Sequence, residues 1–139
     1  MSSRPPLLLY DGYCALCDRT VRFLLRVDRR GVLRFAALQG ETAASIAARR
    51  PEMAGVDSVV FVAGGEAGHE RVALRSAAVI GALRAVGGVW RAVAALLVIV
   101  PRPLRDWGYD LVAARRKRWF GEYDACPVPP PEVRGRFLP

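Results

Sequence analysis

Leu7-Leu8-Leu9-Tyr10 is an unbroken apolar run closed by Asp11-Gly12, the pattern of a strand buried on both faces. From Cys14 to about residue 29 the period changes to that of a helix. Asp18, Arg19, Arg22, Arg26, Arg29 and Arg30 form a polar stripe, while Leu16, Cys17, Thr20, Val21, Phe23, Leu24 and Val27 fill the remaining arc. Gly31 is placed to stop that helix. Val32 to Ala36 reads as a second strand, parallel to the first across a right-handed crossover. Glu41 to Arg50 is Ala-rich and helical up to Pro51. Ser58 to Val62 is the clearest strand in the chain. After the Gly64 to Gly68 turn, His69 to Leu74 is expected to return antiparallel. Ser76 is placed to cap a helix through Val86, ended by Gly87-Gly88.

Two further helices and a tail follow. Trp90 to Val100 is apolar apart from Arg91 and stops at Pro101. Leu104 to Arg118 carries Trp107, Leu111 and Ala114 on one side and ends in the basic run Arg115-Arg116-Lys117-Arg118. The Pro-rich residues from Gly121 onward read as an extended arm packed back on the domain. Val93 to Val100 is far shorter than the roughly 20 residues that span a bilayer. A buried helix is expected there, with an interfacial helix as the disfavoured alternative. The whole chain, 1–139, is one domain: a core of about 6–88 and an extension of about 89–139.

The cysteines supply the candidate chemistry. There are three, two of them in Cys14-Ala15-Leu16-Cys17, and the third, Cys126, lies far away. A secreted disulfide framework would be denser and even in number. The apolar run after Met-Ser-Ser-Arg-Pro-Pro is too short for a signal peptide, and no cleavage pattern follows, so a cytoplasmic protein is expected. There, C-x-x-C means redox or metal chemistry. The pair sits where the first strand hands over to the first helix. A helix N-terminus carries partial positive charge and unpaired N–H groups, which favour a thiolate. Three residues apart, the two side chains share one face within disulfide reach. Cys14 is expected to be the exposed nucleophile and Cys17 the more buried resolving thiol. Asp11 is a candidate base for Cys17, with turn formation as its plain structural role. Arg19 and Arg22 would favour a thiolate if they pointed inward.

An α/β class with element order β-α-β-α-β-β-α and cysteines at the first strand–helix junction defines a thioredoxin-like fold, with a mixed central sheet flanked by helices. The chain also resembles the DCC family of thiol–disulfide oxidoreductases. Tyr10-Asp11-Gly12-Tyr13-Cys14-Ala15-Leu16-Cys17 has that family's Y-D-G-x-C-x-x-C form. The resemblance continues through Asp57-Ser58-Val59-Val60, Arg75-Ser76, and Trp119-Phe120-Gly121-Glu122-Tyr123-Asp124-Ala125-Cys126-Pro127. It implies that Cys14 and Cys17 are the redox pair and Asp11 the signature acid. Thioredoxins have a cis-proline just before the third strand, which helps hold substrate and exclude metals. Here that place is Val56-Asp57-Ser58, without a proline, so the resemblance does not imply either property.

Other chemistries find less to build on. Cys14, Cys17, Cys126 and His69 could make a Cys₃His zinc set, but His69 and Cys126 belong to no second tight ligand pair. Cys126 reads as a small packing residue, with a third redox thiol or a metal ligand as the other readings, and His69 as a surface residue. No Ser-His-Asp arrangement is expected around the chain's one His, and no Gly-rich loop is built to cradle phosphate. No cofactor is expected, since nothing resembles a flavin or nicotinamide site. Electrons would come from a separate reducing thiol system, and the substrate would be a protein or small-molecule disulfide.

Charge changes the picture only slightly. The chain has 21 Lys and Arg against 13 Asp and Glu, a net charge of +8. That favours acidic partners or anionic surfaces. Without a nucleic-acid-binding motif, nucleic acid is not an expected partner, and the basic run is accounted for by the C-terminal end of its helix.

Overall fold

Alternate side chains of the first strand feed two different cores. The computed structural model describes residues 5–53, 59–63, 70–121, 131 and 133–138. Strands β1 (Leu7–Tyr10), β2 (Arg34–Ala37), β3 (Val60–Ala63), β4 (Arg71–Leu74) and β5 (Phe137–Leu138) lie in the order β4-β3-β1-β2-β5. β2 is parallel to β1, β3 antiparallel to β1, β4 antiparallel to β3, and β5 parallel to β2. Helices α1 (Ala15–Val27), α2 (Glu41–Arg49), α3 (Ser76–Val86), α4 (Val89–Ile99) and α5 (Arg102–Phe120) surround the sheet.

Leu8 and Tyr10 point with Phe35 and Phe61 toward α1 and α3, among Cys17, Val21, Leu24, Ala78 and Leu83. Leu7 and Leu9 point the other way, with Val60 and Val62, toward Ala43 and Ile46 of α2 and toward Met53. A strand covered on both faces needs no polar alternation, which is why β1 is four apolar residues in a row. Gly81 lets α3 lie directly on β3, because a Cβ there would sit 2.5 Å from the Phe61 ring. Strand order and connections make this a thioredoxin-like fold.

The expected elements are present within a few residues, and β5 is an addition. It joins the edge of β2, where Phe137 stacks on Phe35 at 5.4 Å between centroids. Asp28, buried at the C-terminal end of α1, accepts hydrogen bonds from the N–H groups of Val32 and Leu33 (3.2 and 2.9 Å). It also pairs with Arg136, so an otherwise costly buried carboxylate ties the tail to the sheet.

Two expectations are corrected. Ser76 is the first residue of α3 rather than its cap. Arg75 holds the cap position at φ 56°, and the Ser76 hydroxyl donates instead to Asp106 of α5. That bond holds the Asp106 carboxyl below its ordinary value. Next, α4 is not a buried helix, because it packs along one side on α3 and only Ala94 is buried. On α5, the side bearing Trp107, Leu111 and Ala114 faces outward, while Tyr109, Ala113, Arg116 and Phe120 face the domain.

Candidate functional site

The turn after β1 is shaped by the side chain of Asp11. Its Oδ1 accepts hydrogen bonds from the Tyr13 N–H (3.0 Å) and from Gln39 Nε2 (2.9 Å). Gln39 Oε1 accepts in return from the Gly12 N–H (3.1 Å), so the β2–α2 connection braces the turn. The Asp11 carbonyl accepts from the Cys14 N–H (3.2 Å). Gly12 is not among the residues of positive φ, so the carboxylate rather than glycine's freedom sets this turn.

Cys14 occupies the cap position of α1 with extended backbone (φ −87°, ψ 123°), and Cys17 follows one turn along. Both are free thiols, within hydrogen-bond reach of each other. Burial, reinforced by the adjacent Cys14, pushes the Cys17 thiol up to about 12 from its ordinary 9.0. A hydrogen bond from the Asp11 backbone and the charge of Arg116 pull the other way.

Cys14 is not exposed, contrary to expectation: its relative exposure is 0%, against 5% for Cys17. The end of α5 meets the start of α1 beside it. The Gly121 carbonyl accepts a hydrogen bond from the Ala15 N–H (3.2 Å), and Arg19 lies over the Phe120 ring at 5.5 Å. One of the helix-start N–H groups expected to face a thiolate is thereby engaged. Of this turn, Tyr13 reaches the surface.

The cation beside the thiols is also not the one anticipated. Arg22 is exposed and paired with Asp18 at 3.0 Å, and Arg19 is committed to Phe120. Arg116, from the basic run near the end of α5, turns inward with 4% exposure and places Nη2 3.5 Å from Asp11 Oδ2. Its positive charge favours the Cys17 thiolate, as the smallest of the influences on that thiol.

His69, Cys126 and the Val56-Asp57-Ser58 segment lie outside the described residues. Among the described residues, no three His, Cys, Asp or Glu side chains gather as metal ligands.

The fold and the dithiol together define a thioredoxin-like protein with a C-x-x-C pair at the first strand–helix junction. The chain belongs to the DCC1-like thiol-disulfide oxidoreductase family, whose model matches residues 8–122. It is 37% identical over 134 residues to the uncharacterized protein YuxK of Bacillus subtilis (strain 168), covering 96% of this chain and 93% of that protein. It is 32% identical over 124 residues to the chloroplastic DCC family protein At1g52590 of Arabidopsis thaliana, covering 87% of this chain and 68% of that one. No solved structure matches.

Proposed function

We infer that the protein exchanges disulfides through Cys14 and Cys17. The observation that carries this reading is two free thiols in mutual reach at the start of α1, beside a buried arginine. The Cys14 thiolate attacks one sulfur of a substrate disulfide, forming a mixed disulfide and releasing the other sulfur as a thiolate. Cys17 then gives up its proton and attacks Cys14 Sγ. The Cys14–Cys17 disulfide forms, and the second substrate thiolate leaves. The substrate has gained two electrons, and a separate dithiol system restores the protein.

Cys14 and Cys17 carry the chemistry, and Asp11 tunes it. Asp11 holds the turn through Tyr13 and Gln39 and fixes Arg116 near the thiols. Arg116 lowers the cost of ionising Cys17, which burial opposes. Because Cys14 is fully buried, substrate access requires the start of α1 to become uncovered.

The test is a redox titration of metal-free protein in thiol–disulfide buffers, with modified cysteines located by mass. The expected result is a two-electron transition confined to Cys14 and Cys17, between roughly −120 and −270 mV. Absence of that disulfide, with metal in the untreated protein, would replace this reading with a metal site.

A further inference from the structure

Helices α4 and α5 leave an apolar surface that the fold does not use. Leu96 and Ile99 of α4 are 66% and 77% exposed. Beyond the corner at Pro101, Leu104, Trp107, Leu111 and Trp119 of α5 are exposed too, with Arg115 between the last two, at the three- and four-residue steps of one helical stripe. Single exposed apolar side chains are ordinary, but a run of them along two consecutive helices marks a contact surface.

Charge identifies the partner. Residues 89–120 contain seven Lys and Arg against two Asp, so this segment holds more than half of the chain's net charge of +8. Both acids are engaged: Asp106 with Ser76 and Arg102, and Asp110 with Arg75. At the α4–α5 corner, Val98 and Arg105 line a cleft of about 720 Å³ together with Arg71 and Arg84. Among the described residues none of these three arginines forms an ion pair, and Arg105 Nε is buried without a hydrogen-bond partner. These are cations set for anionic oxygens beside apolar side chains.

We propose that the α4–α5 face docks on an anionic lipid surface, its Leu, Ile and Trp side chains at the acyl boundary and its arginines among the headgroup phosphates. Exposed tryptophan and interleaved arginine suit that interface. The contact lies on the bilayer and does not cross it, since among the described residues no helix is long and apolar enough to span. A second copy fits less well, because a symmetric dimer would press two basic faces together. This docking is independent of the disulfide chemistry, and neither stands on the other.

Sedimentation of the full chain with vesicles tests it, comparing pure phosphatidylcholine with an equal mixture of phosphatidylcholine and phosphatidylglycerol. The protein is expected to sediment with the anionic vesicles, to be released by salt, and to show a blue shift of tryptophan emission when bound. The double variant Leu96→Gln, Ile99→Gln should partition about tenfold more weakly or worse, from the apolar area removed. The double variant Arg91→Gln, Arg115→Gln should bind with a shallower salt dependence. Both replace exposed side chains, and an unchanged circular dichroism spectrum and redox titration would confirm that they fold. No sedimentation at low salt, equal binding to neutral vesicles, or indifference to both double variants would overturn the proposal. So would a dimer that Leu96→Gln, Ile99→Gln dissociates in protein that ignores vesicles, since the face would then belong to a second copy.

Discussion

Asp11 and Arg116 are 105 residues apart in the chain and 3.5 Å apart in the fold, and both are nearly excluded from water. Through this pair the last long helix becomes part of a site whose motif lies at the other end of the sequence. Removing one member of a buried pair leaves the other charged and uncompensated, at a typical cost of about 3–5 kcal/mol. Arg116→Met is therefore expected to lose stability of that order in urea unfolding. Adding Asp11→Asn should recover part of it, because the stranded carboxylate is gone. Equal stability of Arg116→Met and the native protein would show that Gln39 and Tyr13 alone satisfy Asp11.

The same cation should set the potential. Positive charge beside the thiols favours the reduced, ionised form, so its loss makes the pair a stronger reductant. Arg116→Met is expected to move the potential of the Cys14–Cys17 couple toward more negative values by about 30 mV, a tenfold change in equilibrium with a reference dithiol. Arg116→Lys should restore most of the shift. A potential unaltered in Arg116→Met would confine Arg116 to a structural role.

The two cysteines should fail differently. In Cys17→Ser, attack can begin but not finish, so a mixed disulfide between Cys14 and substrate or glutathione should accumulate and be visible by mass. In Cys14→Ser no adduct should form at the site, and reductase activity should be lost. Trapping at Cys17 in the Cys14→Ser variant would reverse the assignment of nucleophile and resolving thiol.

How much of this was legible in the sequence depended on whether a signal was local. The β1 run, the α1 stripe and the C-x-x-C junction each carry their structural reason within a few residues, and each appears where the pattern placed it. Strand β5 has two residues and exists through distant partners, Phe35 and Asp28 among them, so no local pattern announced it. Arg116 is hidden in a run of four basic residues that the C-terminal end of the helix alone would explain. Yet four consecutive helical residues span every direction, so one of them had to face inward. The stripe Tyr109, Ala113, Arg116 and Phe120, at steps of three and four, was the available signal. The burial of Cys14 could not be read from its own motif, because it depends on the distant segments that pack around the start of α1.

Gly81 offers a test of packing away from the site. Its missing side chain is filled by the Phe61 ring, and a Cβ would meet Cδ2 at 2.5 Å. Gly81→Ala is therefore expected to cost about 1–3 kcal/mol as an overpacked core, even though Ala is the better helix former. Pairing it with Phe61→Leu should relieve part of the strain. An unchanged midpoint in Gly81→Ala would mean that α3 can shift off β3 at no cost.

The Cys17 thiol ties stability to pH in a direction that can be worked out. Burial raises it from its ordinary 9.0 to about 12 in the folded protein. As pH passes 9, the unfolded chain releases the Cys17 proton while the folded chain keeps it. The unfolded state then binds fewer protons than the folded state, so stability must fall as pH rises. The contribution is intact below pH 9 and is lost progressively as pH climbs toward 12. A Cys17→Ala variant lacks this titration but keeps the Tyr, Lys and Arg groups that also respond in that range. The stability advantage of native over variant protein should therefore shrink with pH in that window, as read from urea unfolding at several pH values on either side of 9. An advantage that stays constant would mean that Cys17 ionises in the fold as it does in the open chain, through Arg116 and the Asp11 backbone offsetting its burial in full.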